Sequence, residues 1–242
     1  MEQELETLQQ WVDESSSIVF FGGAGCSTES GIPDFRSVDG LYNQSYDQPP
    51  ETILSASFFR ANPEVFFRFH RDKLVCPNAK PNAAHLKLAE LERAGKLQAV
   101  ITQNIDGLHQ MAGSRNVLEL HGTIHRAYCS KCGKSFPEEV LHTGTQVPQC
   151  DCGGVVRPDI VLYEEGLDEA VMDKSVSCLQ SADLLIVGGT SLVVYPAAGL
   201  LRYYTGHRLV LINKDPTPYD ARADLILHGP IGQILGQIQV RT

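Results

Sequence analysis

Four cysteines are spaced to hold a metal ion. Cys129-Ser130-Lys131-Cys132 and Cys150-Asp151-Cys152 form two close pairs, each with glycine nearby. Turns of this kind present two thiolates to one ion, and two of them complete a closed tetrahedral zinc site. Four thiolates leave no open coordination position, so such a zinc is structural, not catalytic. A redox dithiol at Cys129 and Cys132 is the alternative, and it leaves the second pair unexplained. Cys26, Cys76 and Cys178 remain as free thiols.

A second set of residues suits a nucleotide. Gly23-Ala24-Gly25-Cys26-Ser27-Thr28 follows the apolar run Ile18–Phe21 and is expected to open a helix. Glycines let a backbone approach a pyrophosphate, and a helix N-terminus offers free N–H groups and a positive dipole end. The third glycine of the dinucleotide fingerprint is replaced by Thr28, and the usual acidic ribose-binding residue has no clear counterpart. Nucleotide binding and a tight structural turn both remain open for this stretch alone. Glu29–Ser37 reads as a loop broken by Gly31 and Pro33, able to lie over a ligand with Phe35 as apolar lid and Arg36 as cation.

The elements that carry these residues are legible. Residues 3–14 have helical periodicity, with Leu5, Leu8, Trp11 and Val12 near one face. Short apolar runs recur at Ile18–Phe21, Leu97–Thr102, Val117–Leu120, Leu184–Val187, Leu209–Ile212 and Leu225–Leu227. Helical stretches such as Ala83–Ala94 lie between several of them. That alternation predicts an α/β fold, a Rossmann-like parallel sheet with helices on both faces. The runs end in Gly23-Ala24-Gly25, Gln103-Asn104-Ile105-Asp106, His121-Gly122, Gly189-Thr190-Ser191, Asn213-Lys214 and Gly229-Pro230. Open parallel sheets bind ligands at the carboxyl ends of their strands, so these ends suggest one crevice. Strand ends also need turn residues, but that does not explain Gln103, Asp106 and His121.

Two stretches interrupt the alternation. Pro33–Ala79 shows helix-like pieces around Ser57–Arg60 and Pro63–Leu74, and Tyr128–Val156 holds the four cysteines. The expected division is a discontinuous large domain (1–36, 80–121 and 157–242) and a small discontinuous zinc-binding and helical module (37–79 and 122–156).

Composition narrows the function. With 43% apolar and 20% charged residues the chain is an ordinary globular one, and its formal net charge of −9 argues against direct nucleic-acid or anionic-membrane binding. No signal peptide is visible, and no apolar run approaches the ~20 residues of a membrane span. A cytoplasmic protein is expected.

GAGCSTESGIPDFRS (Gly23–Ser37) resembles the cofactor-binding loop of the sirtuin family, and TQNIDGLH (Thr102–His109), HG (His121-Gly122), GTSL (Gly189–Leu192) and IN (Ile212-Asn213) follow in that family's order. The resemblance runs from about Ser17 to Leu235. It implies an NAD-dependent protein-lysine deacetylase, or deacylase, that consumes NAD as co-substrate, takes acylated lysine in proteins or peptides, and carries a structural zinc. By that resemblance the acyl oxygen attacks C1′ of the ribose as nicotinamide leaves. His121 then acts as general base on the ribose hydroxyls, so that the 2′-hydroxyl attacks the imidate. The products are free lysine, nicotinamide and O-acyl-ADP-ribose. Asn104 orients the ribose or a water, Gln103 contacts the ribose, and Asn104, Ile105 and Asp106 form the nicotinamide pocket. Gly23, Ala24, Gly25, Ser27, Thr28, Phe35 and Arg36 line the loop side. Gly189, Thr190 and Ser191 contact phosphate or ribose, Asn213 and Lys214 flank the adenosine ribose, and Ile231 lies near the adenine. The peptide is expected to lie extended between Val161, Leu162 and Tyr163 on one side and Val193 and Val194 on the other. The chain departs from the family at Tyr163-Glu164, where many sirtuins have Phe-Gly; Glu164 and Glu165 would either favour basic residues in the substrate or be solvated. Arg71 falls near the arginine of sirtuins that take acidic acyl groups, with Arg68 where those have tyrosine, so acetyl is expected over succinyl.

Three rivals share parts of this pattern. A dehydrogenase would have the glycine turn and sheet without needing TQNIDGLH or HG. A zinc-ribbon binding module would leave the ligand-like strand ends unused. Protein ADP-ribosyl transfer on the same fold shares the first half-reaction.

Overall fold

A computed structural model describes residues 2–37, 39–43, 46, 48–142, 144 and 146–241. In chain order the main elements are α1 (Glu2–Glu14), β1 (Ile18–Gly22), α2 (Pro50–Ile53), α3 (Ala56–Ala61), α4 (Pro63–Phe69), α5 (Ala83–Arg93), β2 (Leu97–Thr102), α6 (Leu108–Ala112), β3 (Val117–Glu119), β4 (Gly122–Cys129), β5 (Ser135–Phe136), β6 (Val156–Ile160), α7 (Glu169–Ser181), β7 (Leu184–Gly188), β8 (Leu209–Asn213), β9 (Leu225–His228) and α8 (Ile231–Gly236).

The six expected runs form one parallel sheet in the order β3-β2-β1-β7-β8-β9. β1 lies at its middle, and Ile18, Val19, Phe20 and Phe21 are fully buried. Because strand side chains alternate between faces, Ile18 and Phe20 join one cluster with Leu8, Leu88 and Ile186, while Val19 and Phe21 join another with Leu179, Leu185 and Leu211. Burial of each such side chain is worth ~1.5–3 kcal/mol. Covering both faces needs helices on both, which explains why these strands read as continuous apolar runs. α1 supplies Leu8 and Val12 to the first face, as its periodicity required. The Asn82 side chain accepts from Ala84 N–H to start α5.

A second, three-stranded sheet, β5-β4-β6, is antiparallel. It takes in Val156–Ile160, across the boundary expected at residue 156. With α3 and α4 it encloses a third core in which Phe59, Phe66 and Phe67 pack edge to face beside Ile124, Leu141 and Ile160. Both interrupting stretches contribute to this core, so segments far apart in sequence share one apolar interior. The helix expected to run from Pro63 to Leu74 changes character at His70, where the last five residues form a π-helical turn.

The two sheets meet at Gly122. This residue has φ of 74°, and a Cβ there would come within 2.0 Å of the Asp159 carbonyl oxygen on β6. Gly122→Ala should therefore lower Tm by at least about 5 °C, the equivalent of roughly 2 kcal/mol in a chain of this size. Thermal unfolding followed by circular dichroism checks this; an unchanged Tm would show that β4 and β6 can separate without penalty.

Candidate active site

At the ends of β1 and β7, two glycine turns pack backbone to backbone. Gly25 N–H donates to the Gly189 carbonyl at 2.8 Å. A Cβ on Gly25 would lie 2.8 Å from Gly189 Cα, and one on Gly189, whose φ is 60°, would lie 2.3 Å from Cys26 N. β1 continues toward β2 on one side and β7 toward β8 on the other, so this contact marks the crevice where an open sheet binds a ligand.

The turn does not open an α-helix as expected. Ala24–Cys26 and Thr28–Ser30 are separate short 3-10 turns closed by i→i+3 bonds, and Gly31 ends the second at φ of 84°. Gly31 and Pro33 prevent the turns from growing into a helix. The helix-dipole argument for anion binding therefore falls away, and the partly accessible backbone of Ala24, Gly25 and Gly189 takes its place. Thr28 Oγ1 turns inward to the Gly25 carbonyl, 3.1 Å away. Farther along, the Phe35 ring meets Tyr42 edge to face at 5.4 Å, and the exposed Arg36 guanidinium lies 5.3 Å over the same Tyr42 ring.

Gln103, Asn104 and Asp106 are drawn into the same crevice. Asn104 Nδ2 donates to Ser27 Oγ (3.1 Å), and Ser27 Oγ donates in turn to Asp106 Oδ2 (2.6 Å). The other Asp106 oxygen accepts from Leu108 N–H at 3.0 Å. Gln103 Nε2 spans the end of β1 to donate to Thr190 Oγ1 on the β7 turn, 2.9 Å away. Sequence reasoning missed Asn82, whose Nδ2 donates to the Cys26 carbonyl (2.7 Å) and to Ser30 Oγ (3.0 Å) and so braces the glycine turn from α5. It also missed Glu29, which accepts from Gly232 N–H at 2.6 Å. Asn82 lies in no motif, and Glu29, though inside Gly23–Ser37, has a partner 203 residues away that no local pattern reveals.

His121 stands at the seam of the two sheets. Its Nδ1 is 2.9 Å from the Gln103 carbonyl oxygen, which only accepts, so Nδ1 carries the proton and Nε2 keeps its lone pair. Burial pushes its pKa below the ordinary 6.5, with the Gln103 bond opposing in part. The ring is thus neutral at neutral pH, the form that accepts a proton. The His121 carbonyl accepts from Val161 N–H at 2.9 Å, which links the histidine to the segment expected to bind peptide.

On the far side, Asn213 Oδ1 accepts from Thr190 N–H (3.0 Å), while its Nδ2 is a buried donor with no protein partner. An orphaned donor beside bare glycine backbone suits the hydroxyl and phosphate oxygens of NAD. Lys214 and Ser191 are exposed at the rim. Ile231 is only 2% exposed and packs in the core beside Leu235, where its Cδ1 would meet any Cβ placed on Gly188.

Val193 and Tyr163 are exposed, Val161 and Val194 partly so, and Leu162 is buried. Tyr163 already uses its main chain: its N–H donates to the Leu54 carbonyl and its carbonyl accepts from Ala56 N–H. Its hydroxyl meets that of Tyr42 at 2.5 Å, closing the loop side onto this segment. Both glutamates have partners within the protein, although Glu164 is exposed. Glu164 accepts from Ser57 N–H (2.9 Å) and Ser57 Oγ (2.8 Å) at the start of α3. Glu165 grips buried Arg157 with both oxygens, at 2.6 and 3.0 Å. Glu164 holds φ of 76°, a left-handed conformation that only glycine adopts freely.

The four cysteines converge, with their sulfurs all within 4.8 Å of one another. Cys129 to Cys152 is 3.5 Å and Cys132 to Cys150 is 3.8 Å. A tetrahedron of Zn–S bonds requires sulfurs about 3.8 Å apart. Cys129 is buried beneath Gly154, where a Cβ would sit 2.7 Å from its sulfur. The donor set and spacing fit zinc, and no disulfide forms among the described residues.

A doubly wound sheet with bare glycines at its crossover, a neutral buried histidine and a four-thiolate knuckle define a nucleotide-binding α/β protein with a structural metal. The family model described as Sir2 family matches residues 23–196, and the chain belongs to that family. It is 59% identical over 235 residues to an NAD-dependent protein deacetylase of Clostridium acetobutylicum, covering 96% of both chains. It is 53% identical to another of that name from Clostridium perfringens, covering 98% of this chain and 99% of that one. Among solved structures, a Sir2 enzyme aligns with TM-score 0.90 at 39% identity over 98% of this chain and 96% of its own. A Sir2–p53 peptide–NAD+ complex aligns with TM-score 0.85 at 40% identity, over 96% and 95%.

Freshly purified protein should contain about one zinc per chain. Because such sites contribute ~10–16 kcal/mol to folding, Cys129→Ala or a strong chelator should lower Tm and expose the β5-β4-β6 sheet to protease first. Metal analysis and limited proteolysis test this; metal-free protein of full stability would refute it.

Proposed function

We propose that this protein is an NAD-dependent protein-lysine deacetylase. NAD is its co-substrate and is consumed, acetylated lysine in a protein or peptide gives its acetyl group to the ADP-ribose unit as one water enters to free the lysine, and zinc is structural. The observation that carries the reading is the tautomer of His121: the Gln103 carbonyl holds Nδ1–H, and Nε2 remains a base at the crossover crevice. A dehydrogenase moves a hydride to or from the nicotinamide and has no use for a base at the ribose. Relatives at 53–59% identity over nearly their whole length carry the deacetylase name, and this supports the main reading over ADP-ribosyl transfer.

In this reading each group has one task. The Gly23–Gly25 and Gly189 backbone admits the pyrophosphate. The unpaired Nδ2 of Asn213 donates to the adenosine ribose, and Thr190 and Gln103 hold the strand ends together. Asn104, Ile105 and Asp106 receive the nicotinamide, with Asp106 fixed by Ser27. Departure of nicotinamide is matched by attack of the acyl oxygen on the same ribose carbon, and Nε2 of His121 then takes the ribose hydroxyl proton. The peptide lies against Val161–Tyr163 and Val193–Val194. No helix among the described residues is long and apolar enough to cross a membrane. Thiols outside disulfides suit a reducing compartment, and we place the protein in the cytoplasm.

His121→Ala should keep the fold and reduce deacetylation by ~10²–10⁴-fold. In the parent enzyme, kcat/KM should fall on the acid side only below the ordinary histidine pKa. The base form exists above His121's lowered pKa and is lost as pH falls through it. Turnover of an acetyl-lysine peptide, with nicotinamide and O-acetyl-ADP-ribose identified by mass, measures both; NADH or ADP-ribosylated protein among the products would favour a rival.

Acyl preference follows from the helical part of the small core. Arg68 is exposed, whereas Arg71 sits in the π-helical turn 6.0 Å over the Phe67 ring. With arginine at position 68 in place of the tyrosine hydroxyl, a succinyl carboxylate would lose one of its two partners, so kcat/KM should favour acetyl- over succinyl-lysine by at least about tenfold, or ~1.4 kcal/mol. Equal or better use of the succinyl peptide would show that the two arginines do cooperate.

A further inference from the structure

His125 lies in none of the motifs above, yet β4 grips the segment that carries Asn104 to Asp106. Ile124 N–H donates to the Ile105 carbonyl at 3.0 Å, and Thr123 Oγ1 reaches the same oxygen at 3.4 Å. One residue farther, His125 Nε2 is 3.0 Å from the Asp106 carbonyl oxygen. His125 Nδ1 is 2.5 Å from Glu138 Oε2, on the turn Glu138–Leu141 that follows β5. The ring also covers Gly107, whose φ is 69°, and a Cβ there would lie 2.6 Å from His125 Cδ2.

The partners dictate the charge of the ring. A peptide carbonyl and a carboxylate both only accept. A neutral imidazole has one N–H and satisfies one of them; an imidazolium donates to both. The charged groups around it agree. Glu138 is in contact and Glu119, on β3, adds a second negative charge, while the neighbouring cation Arg126 is engaged by Glu119 and Asp159 at 3.3 and 2.9 Å. The Asp106 side chain faces away, toward Ser27 and Leu108 N–H. Partial burial disfavours the charge, but the Asp106 carbonyl and the two glutamates outweigh it, and the pKa of His125 is raised above 6.5.

We infer that His125, held as an imidazolium between Glu138 and the Asp106 carbonyl, is a positioning residue through which the zinc-bearing sheet sets the nicotinamide loop. The inference rests on the proposed role of Asn104-Ile105-Asp106. His125 touches no substrate; it fixes the main chain of residues that do. The tie is complete below the raised pKa and loses one of its two hydrogen bonds as pH rises through it. NAD binding then weakens on the alkaline side, independently of His121, which titrates in the opposite pH range.

The test combines a titration with a kinetic split in the full-length zinc protein. Histidine Cε1–H signals followed by NMR, with the His125 signal assigned by its loss in His125→Gln, should show it titrating above the ordinary value and shifting down in Glu138→Gln. KM for NAD in His125→Gln should rise about threefold to tenfold, the worth of one hydrogen bond, with kcat at saturating NAD little changed. In Glu138→Gln the alkaline rise in KM should move to lower pH along with the histidine. A residue needed only for folding would lower Tm without moving that profile. His125 titrating at or below the ordinary value, or a KM profile in His125→Gln that overlays the parent's, overturns the inference. Calorimetric Kd values for NAD keep the two readings apart. Unchanged Kd and pH dependence in the variant sink this inference alone, whereas a parent that binds no NAD sinks the functional proposal and this with it.

Discussion

The architecture of the site depends on the contact between two glycine turns at the ends of neighbouring central strands. Gly25 and Gly189 approach so closely that a methyl group on either would collide with the other's backbone. That approach is possible because β1 and β7 are adjacent, in register from Ile18–Leu184 to Gly22–Gly188, and end together. The sheet therefore does more than support the loops. By aligning two strand ends it brings two glycine turns together where the strand order runs outward to β2 on one side and to β8 on the other, which leaves a crevice beside them. Gln103 fastens the end of β2 to the β7 turn across the top of β1, and Asn213 does the same from β8. The polar residues that would meet NAD are thus also the ones that hold the strand ends in place.

The second sheet is coupled to this crevice by apolar packing of Phe35 and Ile105 on its core and by backbone and polar hydrogen bonds. The His121 carbonyl accepts from Val161 N–H, and the carbonyls of Ile105 and Asp106 accept from Ile124 and His125. Gly122 lets β6 approach the start of β4 more closely than a side chain would allow. A zinc held by the Cys129–Cys152 knuckle would therefore act at a distance: it would stiffen the far end of β4, and β4 would carry that order to the loop beside His121. This gives a physical reason for a metal with no open coordination position to belong to an enzyme.

The side that would hold peptide shows how a strained backbone position can be held by its own side chain. Glu164 adopts the left-handed conformation natural to glycine, at a cost of roughly 1–2 kcal/mol. Its carboxylate offsets that cost by binding both the N–H and the hydroxyl of Ser57. Glu165 neutralises Arg157, which is 5% exposed and would otherwise be a buried lone cation. Both acids are thus tied into the fold, Glu164 through Ser57 and Glu165 through Arg157. Tyr163 in turn gains a hydroxyl partner in Tyr42, which ties the loop after the glycine turn to the peptide segment.

Much of this was present in the sequence because it depends on short-range rules. Periodicity located α1, α5 and all six parallel strands, since a strand buried on both faces must be apolar throughout. Cysteine spacing identified the metal knuckle, since two thiolates on one tight turn have few other uses. The motifs from Gly23 to Asn213 brought the family, and with it the candidate roles of His121 and Asn104. The sequence misled where a local signal had a competitor: the glycine turn read as a helix start, but Gly31 and Pro33 cut it into 3-10 turns. What only the tertiary structure decided are pairings between distant segments. These include the tautomer of His121, set by a carbonyl 18 residues away, and the bracing of the turn by Asn82, 56 residues from Cys26. The fate of Glu164 at Ser57 and the double engagement of His125 belong with them. A hydrogen bond needs a partner at about 3 Å in a fixed direction. Composition and spacing state which atoms can donate or accept, but only the packed chain determines which of them meet.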